Sequence, residues 1–245
     1  MKHPASRNTI YSVTAKVLEV QACAENQYLM KFHAPDIAAH SHPGSFIHLQ
    51  CDPGLPMRRP MSIMRADRRA GAVEILYKAH GLGTHLLSQR RAGDMVPILG
   101  PIGVPFKLTG YTKFPLLLGG GVGIPPMVFL AEHIRQSSPD SRQLVLMGSE
   151  IPFPFPLRPS RRLLTDLPAA VIATMPLLDD LGINCRLTSR QGYPGCHSGY
   201  VTDLARIWLD NLDGDQRAQV EIFACGPMPM LEAVSRSEEH TSELQ

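Results

Sequence analysis

The sequence has few of the features that mark membrane, secreted or metal-binding proteins. Its five cysteines include no Cys-x-x-Cys pair, so the chain holds no complete ligand set for a metal ion or an iron–sulfur cluster. No apolar run approaches the length of a membrane span, and the polar N-terminus lacks the apolar core of a signal peptide. We therefore expect a cytoplasmic protein without membrane association or disulfides.

The sequence also lacks an excess of charge of one sign. Its 24 basic and 22 acidic residues give a formal net charge of +2, so no global field favours nucleic acid, and we expect no such partner. Hydrophobic residues make up 44% of the 245 residues, which is an ordinary globular composition. The length suffices for two domains, each with its own core.

We interpret the chain as four segments: a disordered N-terminus (1–10), a first domain (11–109), a second domain (110–235) and a foreign tail (236–245). The tail is abruptly polar after an amphipathic run. Its ten residues can be encoded by a common sequencing-library adapter. We therefore expect the tail to be non-native and the natural chain to continue past about Ser235.

Short runs rich in β-forming residues, with proline and glycine between them, predict an antiparallel β-barrel in the first domain. These runs are residues 11–20, 28–33, 46–51, 72–79 and 95–99. One helix is expected to interrupt them, with Thr84 capping residues 85–91 and Gly93 ending the helix.

In the second domain the period of the hydrophobic pattern changes, and segments typical of buried strands alternate with segments typical of helices. This alternation predicts a doubly wound parallel sheet. The expected strands are residues 115–119, 143–147, 170–174, 185–188 and 220–224. Helices are expected over 126–136, over 201–209 and from Met228 onward. Residues 151–159 contain four prolines, so we expect a loop there.

Two segments of the first domain suit the phosphates of a dinucleotide. Arg58-Arg59-Pro60-Met61-Ser62-Ile63, which we interpret as the end of a strand, offers a guanidinium for pyrophosphate and a hydroxyl for a flavin ring. Gly81-Leu82-Gly83-Thr84 precedes a helix, where free amides and the helix dipole stabilise an anion. Taken alone, the first segment also fits a solvated basic turn, and the second an ordinary strand-to-helix turn.

Two segments of the second domain have a related pattern. In Gly119-Gly120-Gly121-Val122-Gly123-Ile124-Pro125-Pro126 a buried strand leads through glycines into a helix, as a nucleotide-binding loop requires. Pro126 stands where the Gly-x-Gly-x-x-Gly pattern has its third glycine, so this is not the usual fingerprint. Cys225-Gly226-Pro227 also follows a strand, at the edge where ligands bind in open sheets, although a lone cysteine equally fits packing.

Glu150 follows the strand expected over residues 143–147. A carboxylate there would accept hydrogen bonds from a free ribose 2′-hydroxyl and repel a 2′-phosphate, so we expect NAD to be preferred over NADP. An acidic residue of an exposed loop is the alternative.

The four glycine- or arginine-bearing segments, in this order and spacing, resemble the ferredoxin reductase superfamily over about residues 10–235. The resemblance implies that Arg59 and Ser62 hold FAD and that the turn from Gly81 to Thr84 meets its pyrophosphate. It also implies that Gly119 to Gly123 begins a nicotinamide domain and that Cys225 to Pro227 lies by the nicotinamide, where Cys225 is not a nucleophile.

Three variants of these motifs are most similar to those of the electron-transfer subunits of dihydroorotate dehydrogenase: Arg-Arg-Pro-x-Ser-Ile, Tyr77-Lys78, and Leu99-Gly100-Pro101-Ile102-Gly103. This likeness implies a hetero-oligomer with an FMN-containing catalytic subunit. Dihydroorotate would reduce the FMN, and electrons would cross a [2Fe-2S] centre to FAD and then NAD, in pyrimidine biosynthesis.

The sequence departs from that family at two points. Met61 stands where many reductases have an aromatic residue, and the cysteine cluster expected after Cys-Gly-Pro is missing, as truncation at the foreign tail would explain. Two alternatives stay open: another flavin reductase module, such as a hydrogenase diaphorase or a ferredoxin reductase, and a nucleotide-binding subunit without turnover.

Overall fold

The computed structural model describes residues 9–108 and 113–242, with side chains up to Arg236. The chain divides into two compact units, Met1–Phe106 and Lys107–Gln245. The boundary expected between residues 109 and 110 lies outside the described residues. So do residues 1–8 of the N-terminus that we expect to be disordered.

The first unit contains a closed barrel of six antiparallel strands, in the order β1-β2-β5-β4-β3-β6. Its elements are β1 (Tyr11–Ala22), β2 (Gln27–His33), helix α1 (Pro35–His40), β3 (Phe46–Leu49), β4 (Arg59–Asp67), β5 (Ala72–Lys78), helix α2 (Leu82–Ser88) and β6 (Met95–Ile102). Alternate residues of the strands point inward, as period-2 geometry requires. The barrel core includes Phe32, Ile47, Leu49, Ile63, Ile75 and Ile98, all at most 1% exposed.

Two expectations for this unit were wrong in detail. The segment from Arg58 to Ile63 begins a strand rather than ending one, because Arg59 is the first residue of β4 and pairs with Leu49 of β3. The helix begins earlier than expected and ends at Ser88, well before Gly93. Thr84 therefore lies inside α2, and Gly81 occupies the N-cap position.

The second unit is built on a four-stranded parallel sheet in the order β11-β8-β7-β12. Its strands are β7 (Phe114–Gly120), β8 (Leu144–Gly148), the two-residue strands β9 (Arg158–Pro159) and β10 (Ala173–Thr174), β11 (Asn184–Thr188) and β12 (Val220–Cys225). Its helices are α3 (Ile124–Ser137), α4 (Pro176–Asp180), α5 (Val201–Asp210), α6 (Gly214–Arg217) and α7 (Met228–Ser242).

Every residue of β7 is buried, as expected for a central strand covered on both faces. From β7 the chain continues to β8 and β11 on one side and later returns to β12 on the other side. The carboxyl ends of β7 and β12 thus flank the topological switch point, where ligands bind in open α/β sheets.

The sequence predicted a strand over residues 170–174 as part of this sheet, and that was wrong. Only Ala173 and Thr174 form a strand, and they pair antiparallel with Arg158 and Pro159, apart from the parallel sheet. Of the loop expected over residues 151–159, residues 151–157 form a loop, but Arg158 and Pro159 form strand β9.

Among the described helices, none combines the length and apolar character needed to cross a membrane.

Candidate functional site

Arg59 and Gly83, from two separate motifs, lie side by side in the barrel unit. A Cβ built at Gly83 would be 3.5 Å from Arg59 Nε and 3.5 Å from the sulfur of the buried Cys51. Arg59 also donates through Nη1 to the carbonyl oxygen of Met57 (3.3 Å), which orients the guanidinium. A cationic side chain thus faces the first turn of α2, whose amides have no partners within the helix. This arrangement can hold a phosphate group.

The turn before α2 is stabilised by Thr84 itself. Its hydroxyl accepts a hydrogen bond from His80 N (2.7 Å) and donates one to His80 O (2.8 Å). Gly81 has a φ of 82°, a conformation that suits glycine, and a Cβ there would meet no atom within 4 Å. The space beside Gly81 is therefore open to a ligand, while the Thr84 hydroxyl is used in hydrogen bonds within the turn.

The remaining barrel residues that we expect to bind cofactor lie on β4 and β5. Met61 and Ser62 are half-buried and Pro60 is exposed, all three near the start of β4. Tyr77 and Lys78 end β5, with Lys78 exposed.

Tyr77 is 5% exposed and stacks on Tyr28 with ring centroids 5.6 Å apart. Within the described part of the chain its buried hydroxyl has no hydrogen-bond partner, and burial raises its pKa, so it stays a neutral donor. Such an unpaired hydroxyl can serve a bound group.

The glycine loop and the Cys225 loop of the second unit pack backbone against backbone. Gly119 and Gly120 end β7, and a short 3-10 turn from Gly121 to Gly123 leads into α3, whose first turn contains proline. A Cβ at Gly123 would overlap the carbonyl oxygen of Cys225. Glycine is therefore required there by close approach, and the two predicted segments lie together at the switch point.

Cys225 ends β12, opposite Gly119 in the parallel register, and Gly226 and Pro227 connect it to α7. Burial raises the pKa of the Cys225 thiol, so the thiol stays protonated at neutral pH. That state agrees with a positioning role and not with nucleophilic attack. Sequence reasoning missed Met230, which contacts both loops and whose helical spacing from Cys-Gly-Pro was the available signal.

Glu150 lies just beyond β8 with its side chain 71% exposed, and its Oε1 is 3.7 Å from Arg190 Nη1. Arg190 follows β11, hydrogen-bonds the hydroxyl of Tyr200, and lies 5.2 Å from the centroid of that ring. Sequence reasoning missed Arg190 and Tyr200. A signal for Arg190 was present in the sequence, because Arg190 follows the strand that becomes β11 as Glu150 follows the strand that becomes β8. Neighbouring parallel strands end at the same edge of a sheet, so residues that follow them lie close together.

Solved structures with this architecture include several reductases. A cytochrome P450 reductase from Amycolatopsis aligns with a TM-score of 0.70 and 20% identity, covering 94% of this chain and 66% of that one. An NADH-dependent reduced ferredoxin-NADP oxidoreductase aligns with a TM-score of 0.68 and 20% identity, covering 94% and 73%. Phthalate dioxygenase reductase aligns with a TM-score of 0.64 and 16% identity, covering 94% and 64%. These likenesses confirm the predicted fold.

Relatives by sequence are named dihydroorotate dehydrogenase B (NAD(+)), electron transfer subunit. The Shouchella clausii protein is 30% identical over 216 residues, which are 86% of this chain and 73% of that protein. The Geobacillus sp. protein is 29% identical over 231 residues, covering 90% and 76%. The Desulforamulus reducens protein is 42% identical over 124 residues, but this alignment spans only 49% of the chain and 47% of that protein. No family model matches the chain.

An antiparallel barrel followed by a doubly wound sheet, as in these solved structures, defines the ferredoxin reductase-like class of fold. Within that class, the chain belongs to the family of dihydroorotate dehydrogenase B electron transfer subunits. The predicted resemblance is thereby confirmed.

Proposed function

We propose that the chain binds FAD in its barrel unit and NAD in its α/β unit, and exchanges electrons between them as an electron-transfer subunit of dihydroorotate dehydrogenase in pyrimidine biosynthesis. The observation that carries the proposal is the placement of Arg59 beside Gly83 at the start of α2. Two motifs that are distant in sequence form one cradle there, in which a guanidinium faces the free backbone amides at the start of a helix. The names of the sequence relatives support the choice of pathway.

The barrel residues fit FAD. Arg59 and the backbone amides at the start of α2 would hold the pyrophosphate, and Ser62 would hydrogen-bond the flavin ring. The unpaired hydroxyl of Tyr77 would donate to the same cofactor. Bound FAD and NAD would supply the redox chemistry, a hydride exchange, while the protein places them.

The switch point of the second unit fits a nicotinamide nucleotide. Gly119 to Gly123 and the first turn of α3 would face the pyrophosphate, and Cys225 to Pro227 would position the nicotinamide. Glu150 would accept hydrogen bonds from the ribose 2′-hydroxyl and favour NAD. Its neighbour Arg190 partly offsets the negative charge, so we expect the preference to be moderate.

The described residues offer no ligand set for the [2Fe-2S] centre that the resemblance implies. Within residues 9–108 and 113–236, no group of three or more His, Cys, Asp or Glu side chains could hold a metal ion. We therefore assign the cluster to no residue here. An FMN-containing catalytic subunit is the proposed partner in a hetero-oligomer, and the cytoplasmic location stays a prediction.

The direct test is the colour of the purified protein. We expect it to be yellow with FAD and to bleach anaerobically on addition of NADH. Arg59→Ala should lose most of its flavin, whereas Arg58→Ala is a matched control, because Arg58 donates instead to the backbone carbonyls of His48 and Pro97. Protein that stays colourless after incubation with excess FAD would contradict the proposal.

A further inference from the structure

Met230 occupies space that two glycines of different loops leave free. Its sulfur would lie 2.6 Å from a Cβ built at Gly120 and 2.8 Å from a Cβ built at Gly226. Both distances are too short for a real side chain, so the thioether takes the place of both missing side chains. A Cβ at Gly226 would also lie 3.4 Å from the Cα of Gly120, so the two loops are neighbours.

These two loops are the ones that flank the switch point. Gly120 ends β7 and Gly226 follows β12, and the loops also meet where Gly123 packs on the carbonyl of Cys225. The Gly123 contact is backbone to backbone. At Gly120 a built Cβ would lie 2.6 Å from the Met230 sulfur and 3.3 Å from Cδ of Pro227, and of these two side chains the Met230 thioether is the closer and also reaches Gly226. The spacing on the Gly120 side therefore depends mainly on the volume of Met230.

Met230 is anchored at its own backbone. It lies in the first turn of α7, and its N–H donates to Pro227 O (2.9 Å). The side chain is half-buried and packs against the hydrophobic core that includes Leu116, Leu146 and Trp208. An unbranched thioether can thread between two close backbones, and its polarisable sulfur gives favourable dispersion contacts.

We propose that Met230 is a positioning residue for the nicotinamide nucleotide, and that its thioether fixes the spacing between the glycine loop after β7 and the Cys225 loop after β12. The inference rests on the proposed function, because it assumes that NAD binds at this switch point. Met230 acts through Gly120 and Gly226 and not by chemistry of its own.

The test compares truncation, conservative replacement and a matched control in the flavin-loaded full chain. Met230→Ala should raise the Kd for NAD, measured by calorimetry, by about tenfold. Met230→Leu keeps an apolar atom at the position of the sulfur and should stay within about threefold of wild type. Met228→Ala removes the same side chain from an exposed position of the same helix (66% exposed) and should leave the Kd unchanged.

Stability and flavin content are measured on the same samples, because truncation also removes core contacts. If Met230→Ala melts too early for calorimetry, Met230→Val removes the sulfur with a smaller loss of volume and should raise the Kd in the same direction. Truncated variants that are less stable but bind NAD as wild type does would overturn the positioning role. Wild-type protein that binds no NAD would instead overturn the proposed function itself.

Discussion

At the scale of single residues, a substitution at Gly83 should change the affinity for flavin without lowering the stability of the fold. Gly83→Ala puts a methyl group 3.5 Å from Arg59 Nε and from Cys51 Sγ, which is ordinary van der Waals contact. Alanine also favours a helix by up to about 1 kcal/mol over glycine. We therefore expect an unchanged or slightly higher melting temperature. The methyl group would nevertheless fill the cradle in front of Arg59, so the Kd for FAD should rise roughly tenfold or more.

Both effects of Gly83→Ala can be measured on apoprotein, by thermal unfolding and by titration with FAD. Arg59→Ala should lose flavin to a similar extent, because Gly83→Ala obstructs the cradle and Arg59→Ala removes its cation. A Gly83→Ala protein that keeps full flavin occupancy would show that the pyrophosphate binds elsewhere.

Glu150 and Arg190 give a second prediction at this scale, about the choice of nucleotide. Glu150→Gln removes the charge that would repel a 2′-phosphate and leaves Arg190 without its carboxylate, 3.7 Å away. The ratio of kcat/KM for NADH over NADPH should fall by about tenfold, which corresponds to about 1.4 kcal/mol. Arg190→Gln should move the ratio in the opposite direction. Equal turnover of both nucleotides by the wild type would refute the role of Glu150.

At the scale of elements, α4 holds the segment that contains β9 through one buried carboxylate. Asp179 of α4 has a side chain that is 0% exposed. It accepts hydrogen bonds from Ser160 Oγ (2.8 Å), Arg161 Nε (3.0 Å) and Arg158 Nη2 (3.2 Å). Burial by itself raises the pKa of Asp179, but the hydrogen bonds from Ser160, Arg161 and Arg158 outweigh it, and the pKa lies below its ordinary value.

The depressed pKa of Asp179 fixes the sign of a pH effect. Its contribution to stability is present above the ordinary carboxyl pKa of 3.8 and is lost as the pH falls through the lower folded value. Asp179→Ala should lower the free energy of unfolding at neutral pH by about 2 kcal/mol, the loss of hydrogen bonds to a charged group, because Arg158 and Arg161 keep Asp180 as a partner and no charge is left buried alone. Denaturant unfolding from pH 7 to pH 3 should show a gap between variant and wild type that narrows in acid. A constant gap would contradict this.

Most elements could be predicted because local pattern and tertiary environment agree. The barrel strands alternate, and the strand that becomes β7 is apolar throughout, which is typical of the centre of a parallel sheet. β4 was missed as a strand because the segment from Arg58 to Ile63 was interpreted as the end of a strand, although pairing with β3 makes Arg59 and Pro60 the first residues of β4. The stretch over residues 170–174 looked like a sheet strand, but only its last two residues pair, and they pair with the proline-rich segment.

Contacts between distant segments of the candidate site could not be predicted from local pattern. The motifs themselves were visible as glycine and arginine clusters, yet the placement of Arg59 beside Gly83 depends on barrel closure. The same holds for the contacts of Met230, because its position near Cys-Gly-Pro is visible in the sequence but its contact with Gly120 is not. Periodicity describes neighbours along an element, whereas these contacts join residues that tertiary structure brings together.

At the scale of the whole molecule, we expect this chain to keep its flavin-dependent oxidation of NADH but to lose electron transfer from a catalytic partner subunit. The sites proposed for FAD and NAD lie in described elements, whereas the sequence has no Cys-x-x-Cys pair of the kind that holds an iron–sulfur cluster. We expect the flavin-loaded chain to oxidise NADH with ferricyanide as acceptor. The chain can also be mixed with an FMN-containing catalytic dihydroorotate dehydrogenase subunit. The rate of dihydroorotate-dependent NAD reduction should then be less than about a tenth of the rate with a relative that carries the cluster, because electron transfer lacks its intermediate carrier.

Anaerobic assays with and without the catalytic subunit measure both rates on one preparation. Dihydroorotate-dependent reduction at the full rate would show that no cluster is needed, and absence of the ferricyanide activity would locate the failure in the flavin or nucleotide site instead.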